Sequence, residues 1–482
     1  MSPTRDSPAQ DDGGAAPRLS GHLGVTSIVF MVIAAAAPLT VINGNVPLAV
    51  TMGNGAGAPI GYLVAACVLL VFSVGFVTMT PHVRQAGAFF AYVEKGLGGR
   101  AGLGAAFVAL VTYTTVQVGV WGYFGGALST MVQNFGGPEL PWWVCTAAGV
   151  ALVALLGYRR IELSSKVLAV ALVCEIGIVL VMNAAIIGSG GAEGIDATSF
   201  TPHEMFSGSF GIAVLFSITG FIGFEATAIF RDEARDPDRT LPRATYLAVL
   251  IIGLFYTFSS WAVVEGWGVH GIVAAAEQDP DNMVLNTAAR YIGPVGKDFM
   301  ECLLVTSLLA CTLSFHNVVA RYQLTLAERG RLPSALARVH PKHRSPHVSS
   351  IVQTVTATLL LAVFASIGLD PLTEVFSSMA GVATLGVSLL MTLTCVAVLA
   401  FFARRGDPRW WQTRVAPVLG VLGLLTCLCL IVGNFALVVG GTVVLAVALG
   451  VIPPIAFALG FVLHGRGERS PEDAEQPEAV SS

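Results

Sequence analysis

Apolar residues come in long unbroken runs along this chain, and polar residues gather in the short stretches between them. The runs sit at roughly 23–51, 58–80, 100–132, 141–157, 164–188, 208–230, 242–266, 298–327, 348–368, 371–402, 415–433 and 440–463. Most are long enough to cross about 30 Å of hydrocarbon as helices. They lack the two-residue alternation of barrel strands, and in lipid only helices or closed barrels satisfy every backbone polar group. The pattern therefore predicts an all-α integral membrane protein with about 12 transmembrane helices. The polar, Pro-, Asp- and Gly-rich residues 1–22 and the acidic residues 464–482 read as disordered tails without a signal-peptide pattern.

Composition sharpens this picture. Of 482 residues 54% are hydrophobic and only 12% charged, with a mean hydropathy of +0.74, whereas a soluble domain carries about 25% charged residues. The net charge of −4 says less than where the charges fall. With the N-terminus placed in the cytoplasm, the twelve spans leave only Arg290 and Lys297 of the 26 Lys and Arg on the outer side. The positive-inside rule thus puts both termini in the cytoplasm of a plasma (inner) membrane protein. The eight cysteines all fall inside apolar runs and read as small apolar side chains.

Two spans are damaged at mid-membrane depth. Span one contains Pro38, Asn43, Gly44, Asn45 and Pro47; span six contains Gly220 and Gly223, with Glu225 just beyond. Proline removes a backbone donor, glycine lowers the cost of unwinding, and non-helical backbone survives at that depth only against protein or a water-filled cavity. Either span alone could be a mere kink. As a pair they are the first members of two five-span halves, 23–188 and 208–402, followed by two further spans at 415–463. Interruptions at matching places in halves of opposite orientation point to a midplane binding site.

On these residues the chain resembles the amino acid–polyamine–organocation permeases. The likeness rests on the interrupted first span, the segment Gln85–Gly99, the run Gly220–Pro237 and the basic stretch Ala320–Pro346, in that order. It departs where many members carry a Gly-x-Gly-Ile-Phe type motif, since this chain has Val41-Ile42-Asn43-Gly44-Asn45. The resemblance implies a leucine-transporter-type fold of five-plus-five inverted repeats with two C-terminal helices. It also implies that a substrate carboxylate meets backbone around Thr40, Val41, Ile42, Asn43, Gly44 and Asn45, while its ammonium meets carbonyls near Ser217, Thr219 and Gly220. Phe221, Gly223 and Phe224 flank the second break. Phe221 and Phe224 either close over the substrate or simply pack. Tyr113 and Gln117 share a helix face and either line the pocket or form a packing seam.

Intramembrane ionisable groups are functional candidates by default. Glu175 and Glu225 have no sequence-local partner, and Glu225 reads as a structural charge holding the half-helix. Glu265, Asp298 and Glu301, near the outer span ends, read as solvated or snorkelling groups. Lys166 opens span five, and related carriers place a lysine there in the position of a sodium ion. With Ser314 opposite it by analogy, Lys166 is the candidate for H⁺ coupling, set against the plain reading of a cytoplasmic loop charge. His340, His343 and His347 cluster, but two prolines and neighbouring cations weigh against a metal site. No P-loop is present, so ATP-driven transport has no support, and no cofactor or nucleic acid is implied. The expectation is a secondary active transporter of amino acids, by proton symport or exchange; a polyamine or ethanolamine-type amine carrier is the alternative. A channel, receptor or enzyme lacks the residues it would need.

Overall fold

A computed structural model describes residues 23–83, 88–159, 165–229, 234–341 and 345–467. Among them every regular element is a helix apart from one isolated β-bridge, Leu23 to Ala234. The first apolar run folds as α1 (Val25–Ala35) and α2 (38–54), followed by α3 (Ala58–Met79) and α4 (Ala88–Leu97). Next come α5 (Gly99–Asn134), α6 (Trp142–Arg159) and α7 (Ser165–Ser189). The second interrupted run gives α8 (Phe210–Thr219) and α9 (Ala226–Ile229), then α10 (Pro237–Trp267), α11 (Ile272–Gln278) and α12 (Met283–Glu328). The chain ends with α13 (His347–Ser366), α14 (Pro371–Arg405), α15 (Trp411–Val438), α16 (Val443–Gly450) and α17 (Ile452–Gly467).

Nine helical stretches among these residues are long and apolar enough to cross a membrane. One of them, Val25–His82, joins two runs across the turn at Gly53–Gly57, while Trp142–Tyr158 and Phe210–Thr219 are shorter apolar helices. α5 and α14 are mostly buried and form the centre of the bundle. α13, α15 and the last two helices carry exposed apolar side chains such as Leu359, Val432, Val443 and Val444. Such an apolar skin on helices needs lipid as its solvent.

The first interruption lies a turn earlier than the sequence suggests. A residue before proline is pushed out of the α region, and Ala37, before Pro38, takes φ 45° and ψ 69°. Pro38 then opens α2, where its missing N–H costs nothing. The stretch Val41–Asn45, expected to be unwound, is instead a π-turn, and a second π-turn covers Ala49–Asn54. These widened turns flank Pro47, which cannot donate a helical hydrogen bond. The second interruption falls where expected: α8 stops at Thr219 and the backbone turns through Gly220–Glu225 with Gly223 at φ 113°.

Arginines from distant parts of the chain gather at one end. Arg329 pairs with Glu94 at 3.1 Å, Arg404 donates to the Gly96 carbonyl, and Arg405 meets His82 at 3.2 Å. At the opposite end the Arg290 guanidinium lies 5.3 Å over the Trp267 ring. α12 reaches that end through a bend at Gly293, φ 77°, beside Pro294.

Candidate functional site

The two interruptions abut. A Cβ on Gly223 would sit 3.3 Å from the Ala35 carbonyl oxygen, and one on Gly220 would meet Val41 at 2.8 Å. Beside this junction is a small cavity of about 40 Å³. The first interrupted helix contributes Ala35, Ala36, Ala37, Thr40, Val41 and Asn45, and the second contributes Thr219 and Ile222. α5 adds Val116, Gly119 and Val120; Cys311 and Phe315 come from α12, Phe376 and Ala380 from α14. The wall is therefore mostly apolar, with Thr40, Asn45, Thr219 and broken-helix backbone as its polar points.

Each polar point is held by a second group. Asn45 Nδ2 donates 2.8 Å to the Phe216 carbonyl, tying α2 to α8. The Thr219 and Thr384 hydroxyls are in contact. The Tyr256 hydroxyl reaches the Ala36 carbonyl at 3.3 Å, partnering an oxygen freed by the first break. The Thr40 hydroxyl faces Ser307 Oγ at 3.5 Å, and Ser307 donates 3.0 Å to Glu175 Oε2. The Leu39 amide, at the start of α2, is directed at the same carboxylate. A carboxylate of the protein thus caps the helix N-terminus behind Thr40.

The second break has its own carboxylate. Glu225, buried at 2% exposure, accepts 2.6 Å from the Tyr113 hydroxyl and 2.9 Å from the Gly223 amide. Tyr113 packs against Phe315 and Tyr322. Glu225 therefore ties the turn of the second break to the middle of α5.

Other expected site residues lie elsewhere. Phe221 packs edge-on against Tyr256, and Phe224 against Phe72 and Phe89, so neither lines the cavity. Phe315 and Phe376 supply the aromatic wall instead, and nothing in the sequence distinguished them. Gln117 bonds the Thr312 carbonyl and Gln353, joining α5 to α12 and α13. Ser217 turns back onto the Ala213 carbonyl. Asn43 bonds the Leu39 carbonyl, Ile42 is fully buried, and Gly44 packs against Tyr123. Ser314 is exposed and bonds its own helix at Ala310. The Lys166 side chain lies outside the described residues, as does His343. Asp298 is exposed as expected, but Glu265 and Glu301 are buried at 3% and 1% exposure, not snorkelling. Glu265 accepts from the Asp196 amide and Glu301 from Asn134.

Sequence comparison decides the family: residues 23–457 match the family described as amino acid permease. The chain belongs to that family. This permease is 25% identical over 405 residues to the branched-chain amino acid permease of Bacillus subtilis (strain 168), covering 78% of this chain and 80% of the relative. It is 23% identical over 382 residues to the serine/threonine exchanger of the same organism, covering 77% and 81%. The low-affinity putrescine importer of Escherichia coli (strain K12) is 23% identical over 354 residues, covering 71% and 74%. Among solved structures, the Eremococcus coleocola manganese transporter bound to an aromatic bis-isothiourea compound superposes with a TM-score of 0.58 at 16% identity, covering 96% of this chain and 100% of that one. At that identity the likeness shows the fold alone. The permease is a membrane transporter and not an enzyme.

Proposed function

We propose that this permease is a secondary active transporter that carries a small amino acid by alternating access, through proton symport or exchange. The observation that carries the proposal is the cavity at the junction of the two interrupted helices, with backbone of both breaks at its wall. A zwitterion needs amides for its carboxylate and carbonyls for its ammonium, and paired helix breaks offer both. The apolar remainder, with Val116, Val120, Ile222 and Phe315, suits an aliphatic side chain. Twelve spans, two inverted five-helix halves, a plasma-membrane location and cytoplasmic termini complete the proposal; the clustering of arginines at one end supports that orientation.

Thr40, Val41, Asn45 and Thr219 are the substrate contacts this arrangement favours. Lys166, at the start of α7, remains the candidate for proton coupling. One observation favours a second reading, an amine carrier: Glu175 already occupies the N-terminus of α2, where the carboxylate of an amino acid would bind. Uptake of radiolabelled leucine, serine and putrescine into proteoliposomes, with and without an inward proton gradient, tests both. Amino acid accumulation that collapses with the gradient supports symport, and accumulation that instead needs internal amino acid supports exchange. Uptake of putrescine alone supports the amine carrier, and uptake of none of the three ends both readings.

A further inference from the structure

At the arginine-bearing end of the bundle, α3, α14 and α15 meet in a corner. α15 lies so close to α3 that a Cβ on Gly75 would stand 2.9 Å from Pro417, and Val398 of α14 faces the same glycine. His82, in the turn that ends α3, packs against Phe401 and Phe402 with ring centroids 5.2 and 5.8 Å away. The Arg405 guanidinium lies 4.6 Å over the Phe401 ring and donates to His82 Nδ1 at 3.2 Å. Only residues 406–410 separate α14 from α15, with Gly406 at φ 65° making the turn.

The corner carries more positive charge than it pairs. Arg404, Arg405, Arg409 and Arg414 stand close together in sequence with Asp407 as the one carboxylate between them. Arg404 turns its donors to the Ala400 and Gly96 carbonyls. Arg409 grips Asp407 through two hydrogen bonds, from Nε at 3.0 Å and Nη2 at 2.8 Å. Arg405 and Arg414 are exposed and form no salt bridge among the described residues. The charges in electrostatic range of His82 are Arg405 and Arg409, against Asp407 and Asp238. Beside them Trp410 and Trp411 are 64% and 45% exposed. Beyond Arg414, at helical spacing, α15 shows Val418, Leu422 and Leu425 on its surface.

We infer that this corner binds an anionic phospholipid, with its phosphate held by Arg405 and Arg414 and an acyl chain laid along the exposed stripe of α15. A guanidinium meets phosphate oxygens with two parallel donors. Exposed indoles settle at headgroup level, and a cluster of arginines directly beyond a membrane-spanning helix draws anionic lipid. A free phosphate would satisfy the charge alone, and would leave the two tryptophans and the apolar stripe without a partner. The inference goes beyond the transport reading and needs only that the chain spans a membrane. The orientation proposed above places the lipid in the inner leaflet. Seated there, it would join α14 to α15 at the point where His82 holds the end of α3.

The test uses the purified full chain in dodecyl maltoside and native mass spectrometry to read the first lipid retained. The probes are dioleoylphosphatidylglycerol and its zwitterionic counterpart, dioleoylphosphatidylcholine. Phosphatidylglycerol is expected to bind about tenfold or more tightly than phosphatidylcholine. Arg405→Gln and Arg414→Gln should each weaken it by about fivefold, and the double variant by more than about tenfold. Arg338→Gln, an exposed arginine at the same end but outside the corner, should leave retention within about twofold. Soluble glycerol phosphate at the same concentration should not displace the lipid. Equal retention of the two lipids overturns the inference, as does unchanged retention in the double variant. An equal loss in Arg338→Gln would reduce the effect to general surface charge and overturn it too. Displacement by glycerol phosphate would make the corner a free-anion site instead. Arg405→Gln also removes the contacts to His82 and Phe401; Arg414→Gln spares them and remains decisive if the first variant misfolds.

Discussion

The Tyr113 hydroxyl donates a 2.6 Å hydrogen bond to Glu225, joining the middle of α5 to the turn that interrupts the second broken helix. The residues are 112 apart in sequence, and both are buried. Tyr113→Phe removes this bond while keeping the ring contacts to Phe315 and Tyr322. The carboxylate keeps its backbone amide partners, Gly223 among them, and losing a bond to a buried charged acceptor costs about 1.5–3 kcal/mol. The variant should melt several degrees lower in detergent and transport more slowly. A melting temperature equal to wild type would show that Glu225 does not depend on Tyr113.

Gly223 is the glycine whose conformation the second break requires, at φ 113° against the Ala35 carbonyl. Gly223→Ala forces a side chain into a region that costs about 1–3 kcal/mol. Substrate affinity should fall by about tenfold with membrane insertion intact, as read by binding to purified protein. Gly177→Ala, where a Cβ meets nothing within 4 Å, is the neutral control.

Asp281 gives a pH dependence with a definite sign. Burial, then Asp370 and Asp279, push its carboxyl up from 3.8 to about 7. Between those values the unfolded chain releases this proton before the folded one does, so folded stability declines as pH rises through the window. Asp281→Asn removes that decline. Melting temperatures across the window should flatten in the variant, and above about pH 7 the variant should be the more stable protein. Parallel curves for the two proteins would contradict the assignment.

Lys166→Met keeps length and removes charge, and Lys166→Arg keeps a charge that does not shed its proton. Both should abolish acid-stimulated accumulation in proteoliposomes while binding to detergent-solubilised protein persists. Wild-type pH dependence in Lys166→Met would leave the residue as a topology charge.

The bundle was legible in the sequence because lipid imposes one rule on every span, and the apolar runs record it. The pairing of damaged spans one and six was legible because proline, glycine and polar side chains come together in the first, and two glycines stand beside a carboxylate in the second. The place of the first break was not. Asn43-Gly44-Asn45 carries stronger turn chemistry than Ala36-Ala37-Pro38, yet a π-turn absorbed the former and the proline broke the chain at the latter. The bonds from Ser307 to Glu175 and from Tyr113 to Glu225 join residues more than a hundred positions apart. No local spacing encodes those. Glu301 shows the limit from another side: a charge near the end of a span looked solvated, but the segment leading into α12 and Asn134 cover it.

Much of the central cavity's wall is already as small as side chains become: Ala35, Ala36, Ala37, Gly119 and Ala380. Apart from alanine-to-glycine changes, which remove a single methyl, mutation there adds atoms, so the chain's tolerance for ligands is lopsided. Larger residues at these five positions narrow the range of molecules that fit. Widening it has to come from trimming a few larger neighbours, Ile222, Phe315 and Phe376 above all. Divergence within such a lineage would therefore run readily toward stricter carriers and only through those few positions toward broader ones.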